Sequence, residues 1–188
     1  MLRPLFVVAL GWYVAVVADD KGAGAQEARS MTFSLTSGAF TEGGAIPKRY
    51  TCEGENGSLP LAWTGVPAGT KSLVLIVDEP DAPDPAAPNL TWMHGLLYDL
   101  PPTARGLEQA VAASALPTGT RQGVNDWKRT GYGGPCLPVG RHRYFHKLYA
   151  LDAVLGDLRR PDKAALEAAM KGHVLAQVQL IGTYQKGQ

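Results

Sequence analysis

The most constraining stretch of the chain is Leu73-Val74-Leu75-Ile76-Val77, which stops abruptly at Asp78, Glu79 and Asp81. A short apolar run of branched side chains closed by proline reads as a buried strand. Three carboxylates at its end cannot all turn inward unpaired, because a lone buried charge costs several kcal/mol. The strand must therefore deliver them to a rim, a cleft or a set of donors. Thr91 to Tyr98 supplies a second strand, and a period of two puts Trp92, His94, Leu96 and Tyr98 on one face. Acids and an imidazole on consecutive strands point to a polar site on a β scaffold.

The rest of the chain supports that scaffold. Its 22 glycines and 14 prolines in 188 residues suit many turns and short strands better than a helical bundle. Met31 to Thr36 alternates apolar with Thr and Ser and reads as a strand, as does Leu61 to Trp63. Ile46-Pro47 with Tyr50-Thr51 reads as an extended piece at a sheet edge, where proline is tolerated. Arg143 to Leu151 is a strongly alternating strand, and Val174 to Leu180 is a final strand with one wet face. Between these two, Pro161-Asp162-Lys163 opens a helix that runs through Met170 and stops at Gly172. Thr118 to Pro138 is Gly-rich but carries Trp127, Tyr132 and Cys136; a connection this long is usually functional or disordered, and its aromatics argue against disorder. The expectation is a single mainly-β domain over residues 31–188.

The first 25 residues read as a cleaved signal peptide. Arg3 precedes an uncharged apolar stretch, Leu5 to Ala18, and Ala23-Gly24-Ala25 fits a cleavage site before Gln26. Fourteen apolar residues are too few for a comfortable transmembrane helix, which needs about 20, although an uncleaved anchor is the alternative. Residues 26–30 then form a flexible leader. The expected address is periplasmic or secreted, with no stable membrane anchor after cleavage, since nothing amphipathic or polybasic remains. A net charge of +1 gives no basic field for nucleic acid. An exported chain with two cysteines, Cys52 and Cys136, permits one disulfide. Closing that 84-residue separation is worth roughly 4 kcal/mol in the chain-entropy model, but two buried free thiols fit the sequence equally well.

Three clusters carry the candidate chemistry. In Glu79-Pro80-Asp81-Ala82-Pro83 the prolines fix φ and hold two carboxylates in one geometry, and X-Pro bonds in tight turns can be cis. His94 is a second, with a satisfied core histidine as its bland alternative. The third runs from Gly134-Pro135-Cys136 to Gly140-Arg141-His142-Arg143-Tyr144, where His142 and Tyr144 share a strand face roughly 6.6 Å apart. Successive amides at Gly133 and Gly134 could form a nest for an anion. Imidazole, phenol and amide donors beside carboxylates suit a phosphate or carboxylate ligand that also carries an amine. His146, one pleat beyond Tyr144, and His173, behind Gly172, lie outside this reading.

Asp-Glu-Pro-Asp-Ala-Pro-Asp-Pro, Trp-Met-His, Tyr-Gly-Gly-Pro-Cys and Gly-Arg-His-Arg-Tyr, in this order, resemble the phosphatidylethanolamine-binding protein family, in particular its bacterial Raf-kinase-inhibitor-like branch. The resemblance covers about Phe33 to Tyr184 and includes Tyr50-Thr51-Cys52-Glu53-Gly54, Gly172-His173-Val174-Leu175 and Gly182-Thr183-Tyr184. It implies a Greek-key, sandwich-like antiparallel β fold with one or two peripheral helices and a small anion pocket at one end. It also implies that Glu79 and Asp81 are the paired acids, His94 and His142 the pocket histidines and Tyr144 the phosphate-facing phenol, with Pro83, Gly134 and Pro135 at the opening. Arg143 would pin the acidic loop from beneath. Three positions depart from the family pattern: Glu79 replaces a shorter Asp, Gly95 replaces a Trp, and Leu137 replaces a Pro.

The expected function is a non-catalytic binding protein for a phosphate or phospho-head-group, acting on a partner protein in some contexts, without cofactor or metal. A protease-inhibitor-type interaction protein is one alternative, and a hydrolase using a His/carboxylate pair is another. No nucleophile elbow supports an enzyme. Cys52, Cys136, His94 and His142 are metal-ligand types, but no CxxC or HExxH spacing joins them.

Overall fold

A computed structural model describes residues 32–187. The signal peptide and flexible leader expected before residue 31 therefore lie outside the described residues. Two antiparallel sheets make up the domain. The smaller joins β1 (Ser34–Thr36), β2 (Leu61–Thr64) and β5 (Gly106–Leu107), in the order β1-β2-β5. The larger holds β3 (Ser72–Ala82), β4 (Leu90–Leu100), β6 (Arg121–Gln122), β7 (Arg141–Leu151) and β8 (Val174–Gln185), in the order β6-β4-β3-β7-β8. One helix, α1 (Lys163–Met170), and two short 3-10 turns, Lys48–Tyr50 and Ala113–Ala115, complete the described elements.

The apolar run that opened the analysis is the central strand of the larger sheet, and it is buried on both faces. Leu73, Leu75 and Val77 point toward the smaller sheet and pack with Leu61, Trp63, Leu107, Tyr144 and Leu148. Val74 and Ile76 point the other way and pack with Met93, Leu96, Tyr98, Leu166 and Met170. Helix and small sheet thus cover opposite faces of one sheet, which is why the run shows no alternation.

The helix forms where its capping signals sit. Asp162 is the N-cap, its carboxylate accepting from the Ala165 amide at 2.9 Å. Leu166 and Met170, four residues apart, are the buried stripe. Gly172 follows the last turn with φ +83°, a left-handed conformation that glycine takes without strain.

Several strands run further than their alternation suggested. β8 continues to Gln185 and pairs with β7 as far as Arg141↔Gln185. The continuation passes through Gly182, where a Cβ would stand 2.7 Å from Ile46 and 2.8 Å from Phe40. Only glycine lets that segment approach so closely. The Ile46-Pro47 piece meets the sheet through a parallel bridge, Ala45↔Thr183, and then turns into the 3-10 turn rather than staying extended to Thr51.

The face assignment for β4 needs correction. Val77 pairs with Gly95 but the next residue, Asp78, pairs with Met93, so His94 is an extra, unpaired residue. This bulge reverses the parity of the strand. Trp92 and His94 face Trp127, whereas Leu96 and Tyr98 pack with Met93 on the helix side.

Candidate functional site

The three acids at the end of β3 find three different solutions. Asp78 is fully buried and lies 2.8 Å from Lys147 Nζ and 2.7 Å from Lys163 Nζ, which ties α1 to the sheet. Asp81 accepts from Arg143 Nε at 2.9 Å, Arg143 Nη2 at 2.6 Å and the Arg143 amide at 2.9 Å. The Arg143 guanidinium holds the Asp81 carboxyl below its ordinary range. Glu79 turns inward instead. One carboxylate oxygen accepts from the Asp81 amide and lies 3.2 Å from Nδ1 of His142, off the line of a good hydrogen bond.

Around Glu79 the other pocket residues gather. His142 and Tyr144 share the inner face of β7, and the His94 ring meets Tyr144 edge-on at 5.1 Å between centroids. His94 Nδ1 is 2.6 Å from the Gly133 carbonyl, and His142 Nε2 is 2.6 Å from the Val139 carbonyl. Those carbonyls fix each tautomer by accepting from the nitrogen facing them. Exposure is 0 % for Glu79 and 1 % for His94, His142 and Tyr144. Four polar atoms in this cluster, Glu79 Oε2, His94 Nε2, His142 Nδ1 and the Tyr144 hydroxyl, are buried without a regular hydrogen-bond partner. Such atoms are uncommon in native interiors and each calls for a physical reason.

Burial also sets the charges. It pushes the Glu79 carboxyl up, against the lowering pull of His142 and the Asp81 amide. It drives His94 down to about 4, so that the ring is neutral at pH 7. Burial, followed by the nearby Glu79 carboxylate, pushes the Tyr144 phenol well above its ordinary range and keeps its proton available for donation.

The loop after β6 closes the cluster. Asn125, itself buried, accepts from the Trp127 and Arg129 amides at 3.0 and 3.3 Å and donates to the Gly131 carbonyl at 3.1 Å. Asp126 accepts the Met93 amide at 2.8 Å, and the Trp127 ring packs edge-on against His94 at 5.2 Å. Gly133 lies under that indole: a Cβ there would stand 2.4 Å from it. The far end of the loop is fastened by a disulfide between Cys52 and Cys136, with Cα atoms 5.3 Å apart, so of the two thiol states the sequence allowed, the paired one forms. Trp127 touches the cluster and Asn125 holds its loop, although the motifs alone did not single them out; a Trp in an overlong, Gly-rich loop was the available signal.

The glycine amides do not form the open nest expected of them. Gly133 N donates to the His94 carbonyl at 2.9 Å and Gly134 N donates to Asn56 Oδ1 at 2.8 Å. Pro135 is buried beside them, its carbonyl accepting the Cys52 amide at 3.0 Å, and Pro83, after a cis Ala82-Pro83 bond, is exposed. Among the described residues no group of three or more His, Cys, Asp or Glu is placed to hold a metal ion.

A two-sheet antiparallel β domain with one flanking helix and a buried acid–imidazole–phenol cluster is the class of protein defined here. A family model described as phosphatidylethanolamine-binding protein matches residues 36–185, and the chain belongs to that family. It is 49% identical over 155 residues to a UPF0098 protein of Methanothermobacter thermautotrophicus, covering 82% of this chain and 99% of that one. Among solved structures, a phosphatidylethanolamine-binding protein homologue from Chlamydia trachomatis, CT736, superposes with a TM-score of 0.75 at 41% identity, covering 82% of this chain and 97% of the other. Escherichia coli YbcL, described as a new member of the mammalian family, gives 0.73 at 30% identity over 81% of this chain and 98% of its own. The expected sandwich-like β fold and the family are therefore both found, and membership points to a binding protein.

Proposed function

We propose that this chain is a non-catalytic binding protein that takes a small phosphate-bearing anion at the cluster formed by Glu79, His94, His142 and Tyr144, with Asp81, Pro83, Gly134 and Pro135 framing it. The observation that carries this reading is the set of four buried, unpartnered polar atoms on those four residues. A phosphate that keeps one proton both accepts and donates: the Tyr144 hydroxyl and a protonated Glu79 donate to its oxygens, and its own hydroxyl donates to the bare nitrogen of His94 or His142. An amine on the same ligand would complement the acids.

Glu79 sets the condition for binding. Its ionised carboxylate already faces His142 and would repel an incoming anion. The ligand therefore enters with Glu79 protonated or swung outward, and the raised pKa of that carboxyl makes the first route accessible. Catalysis forms no part of this reading, since no serine or cysteine nucleophile sits in the cluster. Export to an oxidising compartment fits the Cys52–Cys136 disulfide, and any protein partner would meet the exposed rim at Pro83.

The test is imidazole NMR during titration with inorganic phosphate and with O-phosphorylethanolamine. Saturable shifts of His94 and His142 are expected at millimolar ligand. If neither ring responds to either compound, the assignment fails.

A further inference from the structure

A cavity lies between the two sheets, beside the anion cluster, with Gly95 and Tyr132, the chain neighbours of His94 and Gly133, in its lining. It holds about 70 Å³ of cavity and opens to solvent at its mouth. Its walls are apolar, built from Leu61, Leu75, Val77, Leu107 and Val111 among others. Gly95 supplies part of the wall, so no side chain from that central position of β4 fills the space.

Two polar side chains in this lining lack partners. His146 is 1 % exposed; the Leu180 and Tyr144 backbone groups lie within weak hydrogen-bonding reach of its ring, but neither nitrogen makes a regular hydrogen bond. The hydroxyl of Ser58 is likewise buried and unpartnered. Burial lowers the His146 pKa to about 4, so at neutral pH the ring carries no charge and offers one donor and one acceptor. An apolar cleft with a few polar groups is the usual form of a small-molecule site.

We propose that this cavity is a binding site for a small neutral apolar molecule, of one or two rings, bearing a single hydrogen-bonding group that is taken by His146 and Ser58. The neutrality follows from the lining, which places no charged side chain against the ligand. The size follows from that volume, which seats no more than one ring and leaves a second in the open mouth, and excludes a two-chain lipid. None of the four unpartnered atoms of the anion cluster belongs to a residue of this lining, so the site stands whether or not phosphate binds there.

The probes are 1-naphthol and naphthalene, which differ by one hydroxyl. Methyl NMR signals of Leu75, Val77, Leu107 and Val111 and the ring signals of His146 should shift with 1-naphthol, while those of His142 stay still. Naphthalene should bind at least fivefold more weakly. His146→Phe, or Ser58→Ala if the first does not fold, should bring 1-naphthol closer to naphthalene, and Val111→Trp at the cavity wall should abolish binding of both. Absence of shifts at the solubility limit of the probes, or unchanged binding to the Val111→Trp protein, overturns the site. Equal binding of the two probes overturns the role of His146 and Ser58.

Discussion

Glu79 Oε1 lies 3.2 Å from His142 Nδ1 in a place where neither side chain is more than 1 % exposed, so the protein's own carboxylate occupies ground that an anionic ligand would need. The second oxygen of Glu79 is buried without a partner.

Glu79→Gln should tighten phosphate binding about tenfold or more, because it removes the repelling charge and keeps the shape. It should also stabilise the protein at neutral pH. A carboxyl whose pKa rises above its ordinary 4.5 on folding is penalised when ionised; the penalty is complete above the folded value and absent below 4.5. A gain of about 1 kcal/mol, or a few degrees in Tm, is expected at pH 7 and should fade by pH 4. Calorimetry and phosphate titration of the variant check both effects, and an unchanged phosphate affinity would contradict the blocking role.

Arg143→Ala should lower stability by about 1–2 kcal/mol at pH 7, a value discounted because the guanidinium is half exposed. Asp81 has a pKa depressed below its ordinary 3.8, so its contribution is complete above that value and disappears as pH falls through the lower folded value. The variant should therefore lose part of the acid limb of the stability profile below about pH 4, seen in urea midpoints against pH. Arg143→Lys should restore less than half of the loss, since an ammonium cannot reproduce the two-nitrogen fork seen on Asp81.

Reduction of the Cys52–Cys136 bond, or its replacement by two serines, should cost about 4 kcal/mol, because 84 residues separate the cysteines. For a domain of this size that is about 10 °C in Tm. The loop that holds His94 through the Gly133 carbonyl should loosen in parallel, so the His94 ring signals should broaden on reduction.

Acidification should destabilise the native state well before the carboxylates titrate. His94 and His146 both have folded pKa values near 4 against an ordinary 6.5, so the native state favours their neutral forms. That stability is complete above pH 6.5 and is lost as pH falls from 6.5 toward 4, at about 2–3 kcal/mol for each ring by pH 4.5. Their ring C–H shifts should stay flat between pH 8 and pH 5. A midpoint near 6.5 for either ring would show that it is not held neutral.

Much of the scaffold was legible in the chain because it depends on local signals. The Leu73–Val77 run, the alternation from Arg143 onward and the Pro161-Asp162 helix start each depend on neighbours within a few residues, and each element forms there. The order of the motifs, from the acidic Pro-rich turn to Gly-Arg-His-Arg-Tyr, likewise carried the family. The face of β4 was not legible. Counting by twos assumes an unbroken ladder, and the single extra residue at His94 is set by pairing with β3 across the sheet.

The sequence by itself determined that three acids end a buried strand and that two imidazoles and a phenol follow on later strands, since residue type and periodicity are local properties. Only the tertiary structure decided which acid met which partner. Asp78 went to Lys147 and Lys163, Asp81 to Arg143 and Glu79 to His142, while Asn56 took the Gly134 amide that an anion would have used. The reason is that a buried charge or amide must be satisfied by whatever long-range pairing brings within about 3 Å, and that distance is fixed by strand register rather than by spacing along the chain.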